Sequence, residues 1–215
     1  MKKFAIILAG CGVYDGAEIH EAVMSMYAVM KNGAEYQMFA PDIPQHHVVN
    51  HITGAEMPET RNVLVESARI ARGNIKPITK LSPRDFNALL FPGGFGVAKN
   101  LCSYAFEGAD CKVNPEISVL IKEAVSLRKP IGALCISPVL LAKIMGDVII
   151  TVGPDEGDAA NVTAMGAHHI ASKHGEVIVD EKHRLFTTPC YQLKSTIVQI
   201  SEDADAIVKA MLKAM

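Results

Sequence analysis

The strongest constraint on how this chain folds is the recurrence of short apolar runs, bounded by Gly or Pro, that alternate with helical patterns. Phe4-Ala5-Ile6-Ile7-Leu8, Tyr36 to Ala40, Ala88 to Phe91, Ile131 to Leu134 and Val148 to Val152 have the length and punctuation of strands buried on both faces. Between them, Ile19, Val23, Met26, Tyr27 and Met30 recur at helical spacing until Gly33. A second helix is predicted over Arg61 to Ala71, and Asn114-Pro115 caps and opens a third that runs through Arg128. Strand and helix in alternation predict an α/β fold: a doubly wound, mainly parallel sheet with helices on both faces.

The rest of the chain is less regular. Residues 41–58 and 153–175 read as long irregular excursions, and the runs Val177-Ile178-Val179 and Leu185-Phe186-Thr187 as a late hairpin. An amphipathic helix over Asp203 to Leu212 is expected to pack on the sheet. No repeat or break in composition divides the chain, so residues 1–215 are read as one domain.

Charge excludes some functions. Lys and Arg number 21 against 23 Asp and Glu, a formal charge of −2, with no basic block to follow a phosphate backbone, so no nucleic-acid partner is expected. No apolar run approaches the roughly 20 residues of a membrane helix, and no membrane association is expected. The five cysteines, Cys11, Cys102, Cys111, Cys135 and Cys190, are odd in number and scattered, without CxxC or zinc spacing. That pattern predicts a reducing, cytoplasmic setting and no metal. Lys2-Lys3 followed by an apolar stretch and Leu8-Ala9-Gly10-Cys11 imitates a lipoprotein signal, but the same residues serve better as the first strand.

In a parallel sheet, ligands collect beyond the carboxyl ends of the strands, and three strand ends carry chemistry. In Ile131-Gly132-Ala133-Leu134-Cys135-Ile136-Ser137-Pro138 a strand runs into a cysteine and then a first-turn proline. That is the geometry of a nucleophile elbow, with a helix N-terminus to favour the thiolate. A buried core cysteine is the competing reading. Pro92-Gly93-Gly94-Phe95-Gly96 follows another strand, and its glycines let backbone N–H groups approach a ligand; Gly94 and Ile136 are candidate oxyanion-hole donors, a sharp turn being the alternative. Neither this loop nor Gly10-Cys11-Gly12 has the third glycine of a dinucleotide fingerprint. At the first strand end, Glu18 and Glu21 are three apart and are read as sharing a helical face; they are either first-turn acids or proton shuttles. Cys11 and His20 are candidate pocket-lining residues. His46, His47, His51, His168 and His169 are read as surface or loop histidines.

Together these residues resemble the ThiJ/PfpI superfamily, relatives of class I glutamine amidotransferases: Gly16-Ala17-Glu18-Ile19-His20-Glu21 after the first strand, Pro92-Gly93-Gly94 after a middle one, and an elbow at Cys135. Asn50-His51-Ile52-Thr53-Gly54, Glu59-Thr60-Arg61-Asn62, Ala98-Lys99-Asn100-Leu101 and Thr187-Thr188-Pro189 narrow the resemblance to the ElbB subgroup over the whole chain. The resemblance implies a flavodoxin-like, class I glutamine amidotransferase-like sandwich that is usually a homodimer and needs no cofactor, with Glu21 against the thiol of Cys135 and Glu18 nearby. It also implies a glyoxalase-like lyase that turns glyoxal, a small aldehyde substrate, into glycolate, with a historical link to isoprenoid biosynthesis. A non-catalytic redox sensor, or a metabolic partner with a degenerate site, is the alternative.

Three departures narrow this. Ile136 stands where proteolytic relatives carry His, Thr151-Val152-Gly153-Pro154 stands where other glyoxalase-type relatives carry Thr-His-Pro, and Cys190-Tyr191 stands where a glutaminase needs its late His. Protease and glutaminase activities are therefore not expected.

Overall fold

The computed structural model describes all 215 residues. Its strands are β1 (Lys3–Ile7), β2 (Glu35–Ala40), β3 (Ile75–Pro77), β4 (Ala88–Phe91), β5 (Ile131–Leu134), β6 (Ile149–Ile150), β7 (His168–His169), β8 (Ile178–Asp180) and β9 (Leu185–Thr188). Its α-helices are α1 (Ile19–Lys31), α2 (Val63–Ile70), α3 (Tyr104–Glu107), α4 (Pro115–Ser126), α5 (Pro138–Met145), α6 (Glu156–Ala164) and α7 (Ile197–Lys213).

Seven strands form one sheet in the order β3-β2-β1-β4-β5-β9-β8, parallel throughout except for β8, which runs antiparallel to β9. The doubly wound α/β architecture is thus present, and β4, β5 and β9 are buried at every position. Helices cover the sheet: α7 packs on β5 and β9 and lies against α1. The topology has a consequence for chemistry, because β1, β4 and β5 are adjacent in the sheet. The three strand ends singled out in the sequence therefore open side by side.

Three readings need correction. Val148 to Val152 does not join the main sheet; β6 pairs only with β7 in a two-stranded side sheet, where Ile149 is partly exposed. Residues 153–175 are not irregular throughout, for they contain α6, capped by the Asp155 side chain on the N–H of Asp158. That helix buries only Val162 and so has no apolar period to read. The last helix starts at Ile197, earlier than expected, behind a capping box in which Thr196 and Gln199 bond each other's backbone N–H.

The apolar spacing that marks α1 also does not mark its inner face. Glu21, Ala22, Ser25, Ala28 and Val29 are buried, whereas Ile19, Val23, Tyr27 and Met30 are exposed. No helix is long and apolar enough to cross a membrane.

Candidate active site

Cys135 sits at the turn between β5 and α5 with φ of 58°, a left-handed conformation that a non-glycine residue adopts only when its surroundings hold it there. What holds it is on both sides. The Cys135 N–H donates to the carbonyl of Thr188 on β9 at 3.0 Å, and the hydroxyl of Ser137 donates to the carbonyl of Pro92 after β4 at 2.8 Å. Pro138 opens α5 directly behind. This is the strand-turn-helix elbow that the sequence predicts. The residue is 9% exposed, enough to form part of the floor of a crevice of about 450 Å³.

Glu21 reaches the same sulfur from α1. It is fully buried, and its Oε2 accepts the Gly93 N–H at 2.8 Å while Oε1 accepts the Tyr191 N–H at 3.3 Å. The Cys135 thiol faces the same carboxyl across Gly93. Burial, and then the neighbouring Glu18, push the Glu21 carboxyl up to about 8. The N–H groups of Gly94 and Ile136 both point at the Cys135 sulfur. Gly94 manages this with φ of 101°, and a β-carbon there would lie 2.4 Å from the Glu18 nitrogen.

The expected ionised thiol is corrected. Burial, followed by the Glu21 charge, raises the Cys135 thiol well above its usual value, and the two N–H groups only partly offset this. A helix N-terminus favours a thiolate, but removing the sulfur from water and placing an acid beside it outweighs that preference.

Glu18 does not share a helical face with Glu21. It is the N-cap of α1, in extended conformation, and its Oε2 accepts the Glu21 N–H at 2.6 Å. From there it faces the crevice. His20 does not line the crevice: it is exposed, and its Nδ1 lies 2.7 Å from the hydroxyl of Tyr191, which does. Cys11 lies outside as well, partly buried among Glu66, Arg69, Asp15 and Arg61. No imidazole hydrogen-bonds the Cys135 sulfur, and no three His, Cys, Asp or Glu side chains gather as a metal site would require.

Sequence reasoning missed two groups. On one wall of the crevice Asp158 accepts the Tyr104 hydroxyl at 2.6 Å and Gln192 Nε2 at 3.3 Å, with Asn161 Nδ2 donating to the Tyr104 oxygen at 3.2 Å. The Asp155 cap was the available signal for α6, which carries two of these residues. Behind the site, the buried carboxylate of Asp203 lies 3.1 Å from Nδ1 of His174, whose Nε2 lies 3.3 Å from the Ser195 hydroxyl. That hydroxyl donates to the carbonyl of Cys190, fixing the turn that presents the Tyr191 N–H to Glu21.

No family model matches the chain. It is 44% identical to the human protein named glutamine amidotransferase-like class 1 domain-containing protein 3, mitochondrial, across 98% of this chain and 82% of that one. The chain belongs to this glutamine amidotransferase-like class 1 family. The rat ES1 protein homolog, also named mitochondrial, is 45% identical across 98% of this chain and 83% of its own length. A solved amidotransferase-like structure, described as an isoprenoid biosynthesis protein from Ehrlichia chaffeensis, superposes with a TM-score of 0.92 at 33% identity, covering 99% of each chain. Solved ThiJ/PfpI-type domains below 25% identity share the fold. The names of the family's rat and human members overturn the cytoplasmic expectation, since cysteine usage reports redox poise and not address.

Proposed function

We propose that this family member is an ElbB-like, cofactor-free lyase that converts glyoxal, or a related small 2-oxoaldehyde, to the 2-hydroxy acid through Cys135. One observation supports the reading above all: the Glu21 carboxyl and the N–H groups of Gly94 and Ile136 converge on a single sulfur at the floor of an open crevice.

In this mechanism the Glu21 carboxylate takes the thiol proton as the sulfur bonds the aldehyde carbon. The carbonyl electron pair moves onto oxygen, where the N–H groups of Gly94 and Ile136 meet it, and protonation gives a hemithioacetal. Glu21 then removes the proton from the carbon bearing sulfur, and the resulting enediol takes a proton on the adjacent carbon. This leaves the thioester of the 2-hydroxy acid. Water adds to the thioester carbonyl, the C–S bond breaks, and the acid departs with the thiol restored. Without an imidazole partner, Glu21 carries both proton transfers.

The competing expectations, a redox sensor or an isoprenoid-associated protein with a degenerate site, are supported by no separate feature of the crevice. A neutral, buried thiol is a poor target for peroxide. Incubation with glyoxal and assay of glycolate tests the proposal: formation by the native protein and none by Cys135→Ser is the expected result, and equal formation by both ends it.

The homodimer implied by the resemblance is proposed to form through the outer face of α1, where Ile19, Val23, Tyr27 and Met30 present a contiguous apolar stripe to solvent.

A further inference from the structure

The crevice over Cys135 is much larger than glyoxal needs. At about 450 Å³ it falls in the range of roughly 300–1,000 Å³ that holds whole small-molecule ligands. Its charges are of one sign. Asp158 occupies the first turn of α6, and Glu18 faces the same space from the cap of α1. The polar hydrogens given to Asp158 come from neutral groups, Tyr104 and Gln192, so no cation balances its charge. Partial burial raises its pKa above the ordinary carboxylate value, a sign that the charge is poorly compensated.

No Lys or Arg lines the crevice. Lys99, next to the lining residue Ala98, has its ammonium engaged elsewhere: it donates to the carbonyl of Tyr14 at 2.8 Å and lies 5.6 Å from the centre of the Phe95 ring. The rings of Phe95, Tyr104, Phe106 and Tyr191 are also part of the lining. Glu18 has the His20 imidazole 3.9 Å away, but Asp158 has no cationic partner, and its carboxylate and the aromatic faces together form the surroundings that hold an organic cation.

Taking Cys135 as the nucleophile of the proposed reaction, we infer that the crevice selects a carbonyl compound bearing an ammonium-type arm, with the arm on Asp158 and the carbonyl at the sulfur, and excludes anionic compounds. Asp158 is then the specificity-determining residue, and Asn161 and Tyr104 fix its orientation. Glyoxal would be a minimal substrate that uses only the reactive end of the site.

Two thiol-directed methanethiosulfonate reagents of similar size test this, one with a trimethylammonium arm and one with a sulfonate arm. Their rates of labelling Cys135 in the intact protein are read by peptide mass spectrometry and normalised to their rates with a free thiol. Local charge changes encounter rates by about 10-fold or more in such clefts, so the cationic reagent is expected to label Cys135 at least about tenfold faster. In Asp158→Asn that ratio falls several-fold, while the ratio at Cys11, which lies outside the crevice, does not move. Equal rates at Cys135, or a faster anionic reagent, overturn the charge selectivity and leave the nucleophile reading standing. A Cys135 that neither reagent labels overturns the nucleophile reading, and the selectivity falls with it.

Discussion

The thiol of Cys135 and the carboxyl of Glu21 meet across Gly93, in a gap so narrow that a β-carbon on residue 93 would lie 2.5 Å from Cys135 Cβ and 2.7 Å from Glu21 Oε2. Two acids so close and so buried cannot both be charged at neutral pH, and they titrate as a pair. The reactivity of the site follows from that pairing.

The pair predicts the pH dependence of activity. The nucleophile forms only once the pair has lost a proton, which the Glu21 carboxyl releases near 8. Glycolate formation should therefore rise with pH through about 8 and not level off near neutrality. Glu21→Gln should lower turnover by about 10²–10⁴-fold and remove that rise. A pH–rate profile of both proteins is the check.

The same shift predicts a pH dependence of stability, with a definite sign. Glu21 titrates near 8 when folded and near an ordinary carboxylate value of about 4.3 when unfolded. Between these limits the folded protein holds the extra proton, so this contribution is fully present below the unfolded value and is lost as pH rises through about 8. Urea unfolding should show a lower midpoint at about pH 9 than at about pH 5.5, with Glu21→Gln flattening the difference. An unchanged slope in the variant would remove Glu21 from the account.

Gly93→Ala should damage both fold and chemistry. The added methyl meets Cys135 Cβ, which is fixed by the elbow backbone and has no room to withdraw. Overpacking of this kind costs about 1–3 kcal/mol, and glycolate formation should fall to background even in the fraction that folds. Thermal unfolding together with the assay tests it.

Val23→Glu on the outer face of α1 should convert a dimer to a monomer with little loss of monomer stability, because Val23 is exposed in the single chain. Sedimentation of both proteins decides the point. A native protein that sediments as a monomer removes the proposed interface.

Much of this protein is determined by local sequence. Apolar runs at β1, β4 and β5 specify buried parallel strands because strands covered on both faces have no polar side to alternate with. The elbow at Cys135 is equally legible: a strand, one residue in a left-handed turn and Pro138 opening a helix are decided within eight residues. Gly93, Gly94 and Glu21 were readable for the same reason. Other features depend on what packs against what. The inner face of α1 is its small side chains and Glu21, since the helix lies close to its neighbours and leaves larger apolar residues outside. The protonation of Cys135 is set by desolvation and by Glu21, 114 positions away in sequence, against the preference of the adjacent helix. The acidic wall of Asp158 and Tyr104 joins residues 54 apart on short helices without apolar period. Local sequence decides which elements form, because backbone and side-chain preferences act over a few residues; charge state and selectivity arise from burial and long-range contact, which only the folded chain brings about.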